Sequence, residues 1–369
     1  MLKDNVGIVG VGQCGNNIAS IMEKKYQYYT LMVNTSKEDL EAVKPLHSFH
    51  LDGGKGLAKE PEKVMDLLRK NDNVNKLGET LSKHMKEFGI VFVIFSSGGG
   101  TGSALGSMIC KLLVSQRKIV CPVVVIPNEK QESNKVSNNT LRCLKNISSL
   151  NGIGSIFALD NKKKENKFAI NTEFADVLNQ YLTRENNSSK GNIDESEFEK
   201  LLSVKGFSIL TKVSKDRTNT GDLIETLRNN IYADVDDMQC TYLGICVAQG
   251  KSIDKEVIMS EIDVAIDDFM GYGGNSTIMM ISGLPFPNSR VEEYKNKIES
   301  RKESILKVKE KDRYKADSFL DDAMDDLFEF FIEKEEVDIS NNEPKEEKAN
   351  NEENKKQDFW ELMIGEMGV

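Results

Sequence analysis

No two cysteines in this chain stand at the Cys-x-x-Cys spacing that zinc ribbons and thiol–disulfide motifs use. The six that exist, Cys14, Cys110, Cys121, Cys143, Cys240 and Cys246, are scattered and read as reduced, mostly buried thiols. His47 and His50 lack the Cys or His cluster that would complete a metal set, so they read as ordinary residues of a strand or loop. No apolar run approaches the roughly 20 residues needed to cross a bilayer. Residues 1–5, Met-Leu-Lys-Asp-Asn, lead straight into an apolar strand without a leader pattern, so a cytoplasmic protein is expected. Positive charge is also short, with 49 Lys and Arg against 59 Asp and Glu, a net charge of −10. That balance argues against direct binding of bare DNA or an anionic membrane surface, since both are polyanions. A DNA role would need an adaptor.

What is present is enough chain, 369 residues, for two ordinary domains. The first third alternates β-branched runs with amphipathic stretches, the pattern of a parallel sheet covered by helices on both faces. Strands are expected at 6–10, 30–34, 90–96, 119–126 and 154–160, and helices at 16–25, 60–71, 76–88, 103–116 and 133–149. The runs at 90–95 and 123–126 are apolar at every position, which makes them central strands. A helix over 171–185 has Phe174, Val177, Leu178 and Tyr181 at helical spacing. It precedes a second αβ region from about 207 to 284, with strands at 241–248 and 277–282 flanking a helix at 254–269. The expected division is a nucleotide domain at 1–170, a connecting helix at 171–190, a second domain at 191–287, an extended charged helix at 288–337 and a disordered tail at 338–369. Apolar character returns at 358–364, as in a docking peptide on a tether.

Two glycine-rich loops carry the chemistry. The first strand empties into Gly10-Val11-Gly12-Gln13-Cys14-Gly15-Asn16-Asn17 and a helix, so bare backbone amides can approach an anion at a positive helix end. Alone, this pattern is also a dinucleotide fingerprint, but a dehydrogenase would want an acidic residue where the second strand ends in Asn34-Thr35. The second loop, Ser96-Ser97-Gly98-Gly99-Gly100-Thr101-Gly102-Ser103, also precedes a helix, and two such cradles at neighbouring strand ends suit a di- or triphosphate. It is not a Walker loop, because no Lys-Ser or Lys-Thr follows the glycines. Further on, Asn192-Ile193-Asp194-Glu195-Ser196-Glu197-Phe198 sets carboxylates on the first turn of a helix, where they could orient a water or could simply start the helix.

The Gly-Gly-Gly-Thr-Gly-Ser loop closely resembles the signature loop of the tubulin/FtsZ superfamily, and Gly12-Gln13-Cys14-Gly15-Asn16 is similar to the first tubulin loop. The family's loop order continues. Asn34-Thr35 resembles its second loop, and 52–62, with Gly53, Gly54, Lys55 and Gly56, resembles its γ-phosphate-sensing third. The segment 127–135, with Pro127 and Glu132, resembles the ribose-side fifth loop, although Lys135 is offset from the position where FtsZ has an arginine. Asn161 sits where the family contacts guanine, with a second base contact from Asn171, Asp176 or Asn179. The resemblance implies a Rossmann-type GTPase domain that binds GTP or GDP, with Mg²⁺ held through phosphates and water. It also implies that Asn192, Asp194 and Glu197 form a catalytic loop completing the site of the next subunit in a head-to-tail filament.

The third loop and the long charged helix look most like the plasmid and phage branch, TubZ. That branch implies DNA segregation through a DNA-binding adaptor on the C-terminal region. The alternatives are a division-ring protein of the same fold and, more distantly, an NAD-binding oxidoreductase.

Overall fold

The computed structural model describes residues 2–54, 59–70, 72–184 and 188–310, with side chains as far as Lys302. Two compact units are distinguished, Met1–Lys297 and Ile298–Gly368. The tail expected at 338–369 and its apolar motif lie outside the described residues.

In chain order the elements are β1 (Val6–Val11), α1 (Gly12–Tyr26), β2 (Tyr29–Asn34), α2 (Lys37–Val43), β3 (Ser48–His50), α3 (Pro61–Arg69), α4 (Asn73–Met85), β4 (Ile90–Ser96), α5 (Gly100–Ser115), β5 (Ile119–Ile126), α6 (Asn134–Ser149) and β6 (Ser155–Asp160). There follow α7 (Lys167–Leu182), α8 (Glu195–Ser203), β7 (Gly206–Ser214), α9 (Thr220–Arg228), β8 (Gln239–Val247), α10 (Lys255–Glu261), β9 (Asp263–Tyr272), β10 (Ser276–Leu284) and α11 (Asn288–Glu310). One ten-stranded sheet has the order β3-β2-β1-β4-β5-β6-β7-β10-β8-β9. It is parallel from β3 through β7, and β10 runs antiparallel to both of its neighbours. This is an α/β architecture of the kind the resemblance implies.

Every residue of β1 and β6 is buried, as are all but one in β4 and β5, so the centre of the sheet is covered on both faces. Their Val, Ile and Phe side chains form a dry slab that fixes where each strand ends. Gly15 lets α1 lie directly on that slab: a Cβ there would sit 2.0 Å from the Ile94 carbonyl oxygen.

The expected helix at 254–269 is corrected. Only Lys255–Glu261 is helical, started by the Asp254 side chain accepting from the amides of Glu256 (3.0 Å) and Val257 (3.3 Å). Asp263–Tyr272 is instead β9, an edge strand whose exposed positions include Asp263, Asp267 and Ile266. The strand β7 and the helix α9 were not foreseen.

Candidate nucleotide site

Because β1, β4 and β5 are parallel neighbours, with Val11 opposite Phe95 and Ser96 opposite Val125, their C-terminal ends share one rim. At that rim β1 turns directly into α1, and β4 enters α5 through Ser97-Gly98-Gly99. No side chain caps either helix, so first-turn amides of two positive helix ends are offered at one place. The loops touch: Gly12 has φ +70°, and a Cβ on it would lie 3.2 Å from the Gly102 nitrogen. Gly99, in contrast, has no described residue within 4 Å of where a Cβ would stand.

The result is a cleft of about 550 Å³. Of the residues singled out from sequence, it brings together Gly12, Gln13, Cys14, Asn34, Gly98, Gly99, Gly100, Thr101, Gly102, Pro127, Glu132, Asn161 and Asn171. Asn34 organises its corner, its Oδ1 accepting from the amides of Thr35 (2.8 Å) and Ser36 (3.3 Å). Thr35 and Thr101 join the two loops by a hydroxyl pair at 2.8 Å. Among the described residues Asn161 Oδ1 is buried with no hydrogen-bond partner, an acceptor left over for a ligand. Burial pushes the Cys14 thiol up to about 12, so it stays neutral beside any phosphate.

Other expected residues lie elsewhere. Asn16 is wholly buried behind the first loop, with Nδ2 donating to the Val33 carbonyl at 3.4 Å. The Ser103 hydroxyl donates back to the carbonyls of Gly99 and Gly100. Gly53 and Gly54 do not line the cleft; Gly54 backs onto Thr35, whose oxygen a Cβ would meet at 2.2 Å. Lys55 and Gly56 lie outside the described residues. Asp176 lines a separate cleft of about 720 Å³, where it pairs with Lys212 and accepts from the Tyr26 hydroxyl (2.8 Å). Partial burial would raise its pKa, but those two donors outweigh that and hold it below the usual carboxylate range.

Asp194 and Glu197 form a capping box at the start of α8. Asp194 Oδ1 accepts from the Glu197 amide (2.8 Å), and Glu197 Oε2 accepts from the Asp194 amide (2.9 Å). The Glu197 amide and the Ser196 hydroxyl hold the exposed Asp194 carboxyl below its ordinary pKa. Asn192 Oδ1 accepts from the Ser188 amide at 3.0 Å. None of the three lines the cleft. Lys167, Phe168 and Asn171 at the start of the 16-residue α7 line the cleft, whereas the first turn of α8 packs near its far end, Phe198 against Tyr181 at 5.0 Å between ring centroids, so the length of α7 lies between them. At 1.5 Å per residue that is about 24 Å.

Sequence reading missed Thr35's neighbour Thr101 as a pair, and it missed Lys59, Lys167 and Phe168. Lys59 and Lys167 both reach Glu132, at 3.2 and 3.5 Å. Phe168 is 68% exposed, an apolar ring at the mouth where a base could stack. The signal was Asn166, whose side chain accepts from the Phe168 amide (2.9 Å) and starts α7 four residues before the expected 171.

Residues 5–167 match the family described as Tubulin/FtsZ family, GTPase domain. The TubZ of Clostridium botulinum C phage is 26% identical over 320 residues, covering 84% of this chain and 87% of that protein. The solved structure of the tail-truncated C. botulinum phage c-st TubZ has a TM-score of 0.73 at 26% identity, covering 82% of this chain and 100% of that one. A GTPγS-form protofilament of Bacillus thuringiensis serovar israelensis TubZ shares the fold at a TM-score of 0.69 and 18% identity, covering 84% of this chain and 95% of that one. The paired glycine loops at the cleft both fall within residues 5–167, the part of the chain that matches the Tubulin/FtsZ family GTPase domain.

Proposed function

We propose that the chain polymerises head to tail with GTP, that Asp194 and Glu197 of one subunit, with Asn192, complete hydrolysis in the cleft of the next, and that the filament moves plasmid or phage DNA through a DNA-binding adaptor at its C-terminal region. One observation carries the first two parts. The cleft lies at the start of α7 and the acidic turn of α8 packs near its end, which supports a reading in which each subunit offers one half of the site to its neighbour. A contact between unlike ends, repeated without closure, gives a filament.

In this reading the amides of Gly12–Cys14 and Gly99–Gly102 hold the phosphates, Asn161 and Asn171 meet the base, and Phe168 covers it. Lys59 and Lys167, now paired with Glu132, supply positive charge. Mg²⁺ held by phosphates and water would neutralise charge on the phosphate oxygens. The neighbour's carboxylates orient the water that attacks the γ-phosphorus, releasing GDP and phosphate. The phage-encoded relative that spans most of this chain favours DNA segregation over the division-ring alternative.

The test is pelleting and phosphate release with Mg²⁺ and GTP, ATP or GDP, for the native chain and for Asp194→Asn and Glu197→Gln. Both variants keep the capping geometry and lose a charge. Assembly with GTP and slow phosphate release by the variants is the expected result; native-like turnover would refute the shared site, and failure to pellet would refute the filament. Plasmid loss in cells carrying the Glu197→Gln gene reads out the segregation step.

A further inference from the structure

Seen from sequence, 288–310 is a charged stretch destined for the surface, yet Arg290 on its first turn is only 4% exposed. All five guanidinium N–H groups are used. Nε donates to Asp160 Oδ2 (2.8 Å), and Nη2 donates to Asp160 Oδ1 (3.2 Å) and to the Pro127 carbonyl (2.9 Å). Nη1 donates to Glu129 Oε2 (2.5 Å) and Glu293 Oε2 (2.6 Å). The Tyr294 hydroxyl donates to the same Pro127 carbonyl, and Lys297 Nζ to the carbonyls of Glu129 and Glu132.

Apart from Glu293 and the Tyr294 hydroxyl, which accepts from Nη2 at 3.4 Å, every acceptor belongs to one of two segments that build the cleft. Pro127 and Glu132 line it, and Asp160 immediately precedes Asn161, which lines it too. Such a fork fixes relative positions of its acceptors in a way a point charge cannot. Burying three charges is also an expensive way to seat a helix that apolar contacts could have seated.

We propose that Arg290 is a positioning residue for the nucleotide cleft: it sets the 127–132 loop against Asn161, so that nucleotide occupancy and the seating of the first turns of α11 strengthen one another by the same factor. This rests on the nucleotide reading of the cleft. Reciprocity is required by linkage, and couplings of this kind are commonly about 5–150-fold.

Two measurements on the full chain test it, with fluorescent mant-GDP as the probe. Arg290→Lys keeps the charge and loses the fork, and it is expected to weaken mant-GDP binding by at least about fivefold. Hydrogen exchange on the unmodified chain is expected to slow at residues 288–297 when GDP binds, together with the cleft loops. A variant that loses stability to urea but binds mant-GDP normally assigns Arg290 a structural role only and overturns the proposal. So does GDP protection that stops at the cleft loops, which decides the matter even if the variant does not fold. If the unmodified chain binds no nucleotide, the cleft reading itself falls, and the proposal with it.

Discussion

A single methyl group, added at Gly99 or at Gly15, should separate what the first loops do for the fold from what they do for a ligand. At Gly15 the new carbon would lie 2.0 Å from the Ile94 carbonyl oxygen and 3.3 Å from the Phe95 Cα, all backbone. An unstrained carbon–oxygen approach is about 3.3 Å, so α1 would have to withdraw from β4 by more than an ångström. Overpacking of this kind costs about 1–3 kcal/mol, occasionally more. The withdrawal would also carry the Gly12–Cys14 amides off the rim. At Gly99 no described residue lies within 4 Å of the new carbon, and φ −79°, ψ 172° is open to any residue. Alanine is a poorer cap than glycine, but it restricts the unfolded chain by about 0.4–1 kcal/mol, so stability should stay within about 1 kcal/mol of native. Its methyl would nonetheless stand among the amides proposed to hold the phosphates, where losing about 1–3 kcal/mol of contact weakens binding by about 5–150-fold. Urea unfolding followed by circular dichroism and mant-GDP titration give the two quantities for each variant. Native-like affinity in Gly99→Ala, or a native urea midpoint in Gly15→Ala, would refute the reasoning.

Phe168→Ala should weaken nucleotide binding with little loss of apo stability, because the ring is already exposed; a stacked base is worth about 1–3 kcal/mol. An unchanged mant-GDP affinity would remove Phe168 from the site. Lys135 and Lys63 bond to Glu60 and hold its carboxyl down to about 2. Since the folded value is depressed, any stabilisation is present above the ordinary value of 4.5 and fades as pH falls from there towards 2. Carbon NMR of Glu60 should show this midpoint, and Lys135→Met should raise it. Cys14 is the one half-buried thiol among five buried ones, and with its pKa near 12 it should alkylate slowly at pH 8 and more slowly still with GDP present. Fast alkylation that ignores nucleotide would place Cys14 away from the ligand.

The central strands were legible because burial on both faces leaves 90–95 of β4 and 123–126 of β5 apolar at every position, a pattern that survives without knowledge of partners. The strand β9 was not legible, since an edge strand exposes one face and one side. With Asp263, Asp267 and Asp268 among its apolar residues, its sequence has no period of two, and the capped turn before it reads as helix. The cleft loops could be read from glycines that backbone contact requires. Which of Asn171, Asp176 and Asn179 lines the cleft could not be read without the true start of α7. Five residues at about 100° each turn Asp176 roughly 140° away from Asn171, towards Lys212. Arg290 was hidden by composition, because a buried fork and a solvated charge look alike in a run of Lys, Glu and Arg.

The two ends of the sheet order impose a direction on anything built from this chain. One edge is β3, only three residues long, and the other is β9, lined with aspartates. Neither offers the long, flat, uncharged row of amides and carbonyls that a second sheet could join. Growth by strand addition is therefore closed on both flanks, and the surfaces left for copies to meet are the ends of the strands and helices. Those two ends differ in kind, one carrying glycine loops and the other the acids of α8, so any stack built on them has a head and a tail.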